Sequence, residues 1–169
     1  MSYDLKVLEQ GCEELGIALN DTQKQQFIAF YEYLAEKNKV MNLTAITEPQ
    51  AVAELHFLDC IALLRAEDFS GKRVIDIGCG AGFPGVPLKI AEPSIELTLL
   101  DSLAKRMTWL REILPQLGVE AEVVTARAED YVQTCREQYD IATSRAVARL
   151  NILAELCLPY VKTVSYTHL

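Results

Sequence analysis

The sequence predicts an α/β fold: a parallel sheet with helices between its strands, preceded by an all-helical cap. Three observations predict it. From Arg73 onward, short apolar runs alternate with amphipathic stretches, the pattern of repeated strand–helix–strand units and hence of a parallel sheet. Before that point the apolar spacing is helical throughout. At the junction, the first apolar run ends in an acid followed by glycines at alternate positions, VIDIGCGAGFPG (74–85).

The elements follow in order. Residues 4–16 read as a short helix with Leu5, Leu8, Cys12 and Leu15 on one face, ended by Gly16. Asn20 offers an N-cap, and Gln23 three residues on completes a capping-box pattern. The helix it opens runs to about Lys39 and places Phe27, Phe30, Tyr31 and Leu34 on one stripe. A third helix is expected from Thr47, with Gln50 repeating the capping pattern and Pro49 in the first turn. Its expected buried face is Val52, Leu55, Leu58 and Ile61. The run Asp68–Lys72 is the expected boundary, giving a helical cap over 1–68 and an α/β core over 69–169. Strands are expected near 73–77, 96–100, 121–125 and 139–143, with helices near 84–91, 103–117, 128–137 and 148–158.

The glycine run carries the chemistry. In a doubly wound sheet, ligands bind beyond the carboxyl ends of the strands. Gly78, Gly80 and Gly82 follow the first strand there, and Asp101 closes the second, ELTLLD (96–101). A carboxylate at that level can accept both hydroxyls of a ribose. A dinucleotide fingerprint reads G-x-G-x-x-G and holds a pyrophosphate at a helix N-terminus. Here Phe83 and Pro84 stand where the third glycine of that pattern and its successor would be. The G-x-G-x-G run instead favours S-adenosyl-L-methionine, which has no pyrophosphate. The plain alternative is a tight strand-to-helix turn.

Bulk properties narrow the class. The chain has 169 residues, half of them apolar, enough for one domain with a small appendage. No apolar stretch approaches the roughly 18–20 residues of a membrane span. No basic and apolar leader opens the chain, so a cytoplasmic protein is expected. The five cysteines are odd in number and scattered, so neither a disulfide framework nor a metal site is indicated. A net charge of −8 argues against a general nucleic-acid coat but leaves room for a local basic patch. Lys105, Arg106 and Arg111 cluster on one expected helix, where a solvated face explains them equally well.

Beyond the third strand, TARAED (125–130) lies level with an adenine base. A backbone N–H of Ala128 or Glu129 with a carboxylate of Glu129 or Asp130 matches adenine N1 and N6. The two acids also suit an ordinary first helical turn. Beyond the fourth strand, TSRAVAR (143–149) faces the methyl acceptor. It has no Asp/Asn-Pro-Pro-aromatic tetrad for an amino acceptor, and no cysteine follows a proline as cytosine-C5 chemistry favours. That leaves an acceptor already nucleophilic, such as guanine N7, whose in-plane lone pair needs alignment more than acid–base help. Arg145 is the candidate for positioning the acceptor or approaching the cofactor. The alternative for it is an ion pair with Asp76 or Asp101.

Together these runs resemble the bacterial small-subunit ribosomal RNA guanine-N7 methyltransferases, the glucose-inhibited division protein B family. The matching stretches are NKVMNLTAI (38–46), ELHFLD (54–59), VIDIGCGAGFPGVPL (74–88), LLDSLAKRMTWL (99–110), ARAED (126–130) and TSRAVARL (143–150). The resemblance implies a Rossmann-like class I S-adenosylmethionine-dependent methyltransferase. It implies cofactor contacts at Gly78, Phe83, Ala128, Glu129 and Arg145, with no metal. The implied substrate is a guanine N7 in the decoding-region loop of 16S ribosomal RNA, free or in the small ribosomal subunit, and a monomer is expected. His56 is expected to be a hydrogen-bonded interface histidine, with contact to RNA or to the cofactor-side loop as the alternative. Asn42 is expected to cap the following turn, with substrate contact as the alternative, and Trp109 to lie in the core. Relatives continue past the Leu-Pro position with a glycine-rich turn and further strands. Here LPY (158–160) leads into VKTVSYTHL without those glycines, so a core truncated at its C-terminus is expected. Two other readings stand beside this one: a small-molecule or protein acceptor, and a non-catalytic cofactor-binding module of ribosome assembly.

Overall fold

Four short runs rich in valine, isoleucine and leucine build the sheet in the computed structural model, which describes residues 5–145 and 147–163. They are β1 (Arg73–Ile77), β2 (Glu96–Asp101), β3 (Glu122–Thr125) and β4 (Ile141–Thr143). All pair in parallel, in the order β3-β2-β1-β4. Apart from their first residues, β1 and β2 are buried throughout, so they read as continuous apolar runs rather than alternating ones. The chain steps outward from β1 to β3, then returns to place β4 on the other flank of β1. That reversal opens a crevice at the carboxyl edge between β1 and β4.

Helices α5 (Gly85–Ala91), α6 (Ala104–Leu117) and α7 (Ala128–Cys135) connect the strands, and α8 (Leu150–Cys157) follows β4. A 3₁₀ turn, Leu158–Tyr160, comes next. Helix α7 stops at Cys135, short of the expected end near 137, and Glu137 takes a positive φ of 56°. Tyr139, expected within β4, forms an isolated parallel bridge with Val161 instead. The described residues contain these four strands; the expectation for the tail concerns residues 164–169, which lie outside them.

In the N-terminal segment, α1 (Lys6–Glu14) and α2 (Asp21–Met41) match the apolar spacing. The capping box is present: Gln23 N donates to Asn20 Oδ1 (2.9 Å) and Asn20 N to Gln23 Oε1 (2.8 Å). The Gln23 amide also donates to Ile90 O and Ala91 O, at 2.9 and 3.0 Å, so the cap ties α2 to the end of α5. Asn42 ends α2 in the left-handed region, φ 48°, a conformation asparagine tolerates.

The third helix departs from expectation. Glu48, not Thr47, is the N-cap, and no side chain caps it. The stretch runs as α3 (Pro49–Val52), a π-helical turn (Ala53–Leu58), α4 (Asp59–Ile61) and a 3₁₀ turn (Ala62–Arg65). The buried positions are Val52, Ala53, His56, Phe57, Cys60 and Ile61, pairs four residues apart. The expected face was spaced by three, shorter than the helical repeat, so Leu55 falls outside it at 56% exposed, while Phe57 is fully buried and His56 is 8% exposed.

Two apolar clusters sandwich the sheet. The larger joins Phe27, Phe30 and Phe57 of the helical segment to Val74, Phe83, Leu97, Leu99 and Trp109. The smaller holds Ile75, Ile77, Leu100, Cys135, Tyr139 and Tyr160. The five cysteines are free thiols, four of them buried and Cys157 half-buried.

Candidate active site

The segments beyond all four strands converge on one cavity of about 590 Å³, a size typical of small-molecule sites. Gly78, Cys79, Gly80, Ala81 and Phe83 line it from β1, and Asp101, Ser102 and Leu103 from β2. Ala128 and Glu129 come from the start of α7, Arg145 and Val147 from the β4–α8 loop. Leu43, Thr44 and His56 come from the helical segment. The sequence-predicted residues are thus brought together, with two exceptions: Gly82 and Asp130 do not line the cavity.

The glycines divide their work. Gly78 has φ +68°, and a Cβ there would sit 2.4 Å from Val147 Cγ2. The loops beyond β1 and β4 approach each other only because that position carries no side chain. Gly82, with φ +94°, faces inward, where a Cβ would lie 2.7 Å from Val86 Cγ2 and 3.2 Å from Leu110 Cδ2. Its role is to let the turn pack against α5 and α6, not to line a ligand channel.

Asp101 lies against the glycine turn. Gly80 N donates to its Oδ2 and Leu103 N to its Oδ1, each at 2.9 Å. Each oxygen keeps a second acceptor site, so the carboxylate clips the loop and can still take hydroxyl donors. Asp76 is fully buried. Its Oδ2 accepts from Gly85 N (2.7 Å), whereas its Oδ1 has no partner among the described residues. Burial pushes its carboxyl up to about 7.

At the start of α7, the Ala128 carbonyl accepts from the Tyr160 hydroxyl at 2.5 Å. Glu129 is held below the usual glutamate range by its backbone N–H and then by Arg127, an exposed partner 3.3 Å away. On α6 the basic cluster splits. Arg106 lines the cavity, while Arg111 donates to Val123 O and Thr125 Oγ1, at 2.7 and 3.0 Å.

Arg145 pairs with neither Asp76 nor Asp101. Its NH1 donates to Leu55 O (3.2 Å) and meets Asp59 Oδ2 (3.4 Å), and its NH2 meets His56 Nδ1 at 2.8 Å. The guanidinium lies over the Phe83 ring, 5.0 Å from its centroid. The His56 ring stacks on the same phenylalanine at 4.8 Å and 21°. Burial, then the Arg145 charge, lowers His56 to about 4 against a weaker opposing pull from Asp59. Sequence reasoning did not select Leu43, Thr44, Arg106 or Val147 for the site. Arg106 carried a usable signal: it stands four residues before Leu110, on the helix face turned to the glycine loop.

The family model for GidB, rRNA small subunit methyltransferase G, matches residues 23–168. The chain belongs to the GidB family. Among GidB relatives, the ribosomal RNA small subunit methyltransferase G of Alkaliphilus metalliredigens is 48% identical over 164 residues. That alignment covers 95% of this chain and 69% of the relative. The protein of the same name from Clostridium perfringens is 44% identical over 95% of this chain and 68% of its own length. Among solved structures, a Pyrococcus horikoshii protein superposes with a TM-score of 0.51 at 16% identity. It covers 57% of this chain and 37% of that one, a likeness of fold. GidB membership makes this an enzyme family of methyl transfer, and such an enzyme needs a methyl donor.

Proposed function

We propose that the cavity binds S-adenosyl-L-methionine and that the protein methylates N7 of a guanine in the decoding-region loop of 16S ribosomal RNA. The observation that carries the reading is the convergence of a glycine turn, the Asp101 carboxylate and the start of α7 on one cavity in a GidB chain. The open Gly80 position, where a Cβ would meet nothing nearer than Arg106 NH1 at 3.6 Å, fits a ligand lying close to the backbone. When bound, the cofactor supplies an electrophilic methyl group on a sulfonium.

The residues would act as follows. Asp101 accepts the ribose hydroxyls with the lone pairs that Gly80 N and Leu103 N leave free. Ala128 and Glu129 border the adenine through their backbone. Gly80 lets the chain approach the rest of the ligand, Gly78 lines the cavity while admitting Val147 beside it, and Phe83 walls the cavity beside Arg145. Arg145 has five N–H groups and uses three contacts internally, which leaves donors for guanine O6, a phosphate or the cofactor. No general base is required, because N7 carries no proton. We read residues 1–68 as a cap whose 42–47 loop closes the cavity, and 69–169 as the cofactor-binding core.

The test is methylation of small subunits isolated from a strain lacking the corresponding enzyme, with the modified base mapped. Transfer to a single guanine N7 in the decoding-region loop is expected. Transfer to another atom, to free protein, or to no acceptor overturns the reading.

A further inference from the structure

We propose that His56 is a positioning residue that holds the Arg145 guanidinium in place at the cavity wall. The inference rests on the reading of Arg145 as a ligand-facing or acceptor-facing group. It deepens that reading by assigning the side chain that sets Arg145's direction.

The bonding leaves one arrangement. A guanidinium only donates, so the 2.8 Å contact from Arg145 NH2 requires an unprotonated His56 Nδ1. The ring hydrogen then sits on Nε2, which donates to Thr44 Oγ1 at 2.8 Å. Thr44 is itself fixed: its N donates to Asn38 Oδ1 and its O accepts from Asn38 Nδ2, each at 2.9 Å. Its Oγ1 also accepts from Ile46 N at 3.0 Å. A chain of bonds thus runs from α2 through the 42–47 loop and His56 to Arg145. Phe83 supplies a flat surface on which both the imidazole and the guanidinium lie.

The other restraints on Arg145 are weaker. Leu55 O accepts at 3.2 Å, and Asp59 at 3.4 Å has a side chain that is 62% exposed. Exposed ion pairs of that kind hold little. The imidazole is the short, shielded contact, and its burial keeps it neutral and therefore accepting. A histidine that merely filled the interface between the helical segment and the sheet would need no arginine on Nδ1.

Two substitutions separate the ring nitrogens. His56→Asn places an acceptor near Nδ1 and abandons Thr44. His56→Gln reaches Thr44 and abandons Arg145. The experiment compares both in the wild-type and Arg145→Ala backgrounds. It reads single-turnover methyl transfer to small subunits, S-adenosylmethionine affinity and the thermal midpoint, with imidazole ¹⁵N spectra of the ligand-free chain. His56→Gln is expected to slow transfer by about tenfold or more, the scale of a lost hydrogen bond to a charged group. His56→Asn is expected to recover most of that loss. With Arg145→Ala already present, His56→Gln is expected to add less than about twofold. Equal losses for Asn and Gln, or a full additional loss without Arg145, would mean a structural role and overturn the inference. The spectra stand apart from the enzymology: they are expected to show Nε2 protonated, Nδ1 bare, and the Nδ1 signal moving in Arg145→Ala. If the wild-type chain methylates no subunit, the proposed function falls and the spectra alone decide the inference. An Nδ1-protonated ring, or an Nδ1 signal indifferent to Arg145→Ala, overturns it in either case.

Discussion

On one face of the sheet, Val74, Leu97 and Leu99 meet α5, α6 and three phenylalanines delivered by the helical segment. On the other, Ile75, Ile77 and Leu100 meet a thin layer centred on Tyr139 and Tyr160. The thick face backs the glycine turn: Gly82 packs on Val86 and Leu110, and Phe83 sits among Phe30, Phe57 and His56. The thin face supports the start of α7 through the Tyr160 hydroxyl on the Ala128 carbonyl and through Ala128, Tyr131 and Cys135 packed in the smaller cluster. The two ends of the proposed ligand are therefore held by surfaces of different kinds. One is a packed aromatic wall, the other a rim held by a small cluster and the Tyr160 hydroxyl. Close packing makes the first resistant to displacement, whereas the second can be loosened with little cost to the whole.

Phe57 holds the thick face together. It is fully buried and contacts Phe27, Phe30 and Phe83 at centroid distances of 5.0, 5.7 and 6.2 Å. Phe57→Ala is expected to cost about 3–5 kcal/mol in urea unfolding, as for aromatic truncations in cores. A loss below about 1 kcal/mol would mean that the thick face is not the structural base of the site.

Asp76 tests the same face through pH. Its folded pKa, about 7, lies above the ordinary 3.8 of an aspartate. The folded state therefore binds the proton more tightly than the unfolded chain does. The resulting stabilisation is complete below pH about 4 and lost as pH rises through about 7. Relative to Asp76→Asn, the wild-type chain is expected to lose about 2–4 kcal/mol between pH 4 and 8. Parallel pH profiles for the two proteins would show that the carboxyl titrates as in water.

Tyr160→Phe carries the smallest expected effect. Removing its hydroxyl leaves the ring in place and frees the Ala128 carbonyl, at about 1 kcal/mol in urea unfolding. Binding of S-adenosylmethionine should weaken in parallel, since Ala128 borders the cavity. Unaltered affinity would detach the thin face from the site.

Much of this was legible in the sequence, because strands buried on both faces and well-capped helices leave local marks. Asn20 with Gln23 announced α2, and the apolar runs before Asp76 and Asp101 announced β1 and β2 almost to the residue. The glycine turn and Asp101 were brought together as their spacing implied. The buried face of the third helix differs because a spacing of three drifts off a 3.6-residue helix within two turns, so Phe57 rather than Leu55 faces the core. Gly82 does not line the cavity, and a glycine that admits a neighbouring side chain looks, in sequence, like one that admits a ligand. The partner of Arg145 was hidden for a different reason. His56 lies 89 residues away, and an arginine expected to pair with Asp76 or Asp101 gives no local sign that it prefers an imidazole.

The central claim is that the cavity beyond the glycine turn holds the nucleoside of a sulfonium methyl donor. Calorimetric titration of S-adenosylmethionine, with NAD as the contrast and Asp101→Ala as the partner variant, tests it most directly. One molecule of S-adenosylmethionine per chain is expected, with no comparable heat from NAD and binding about 1–3 kcal/mol weaker in the variant. Absence of S-adenosylmethionine binding, a preference for NAD, or equal affinity in Asp101→Ala would contradict it.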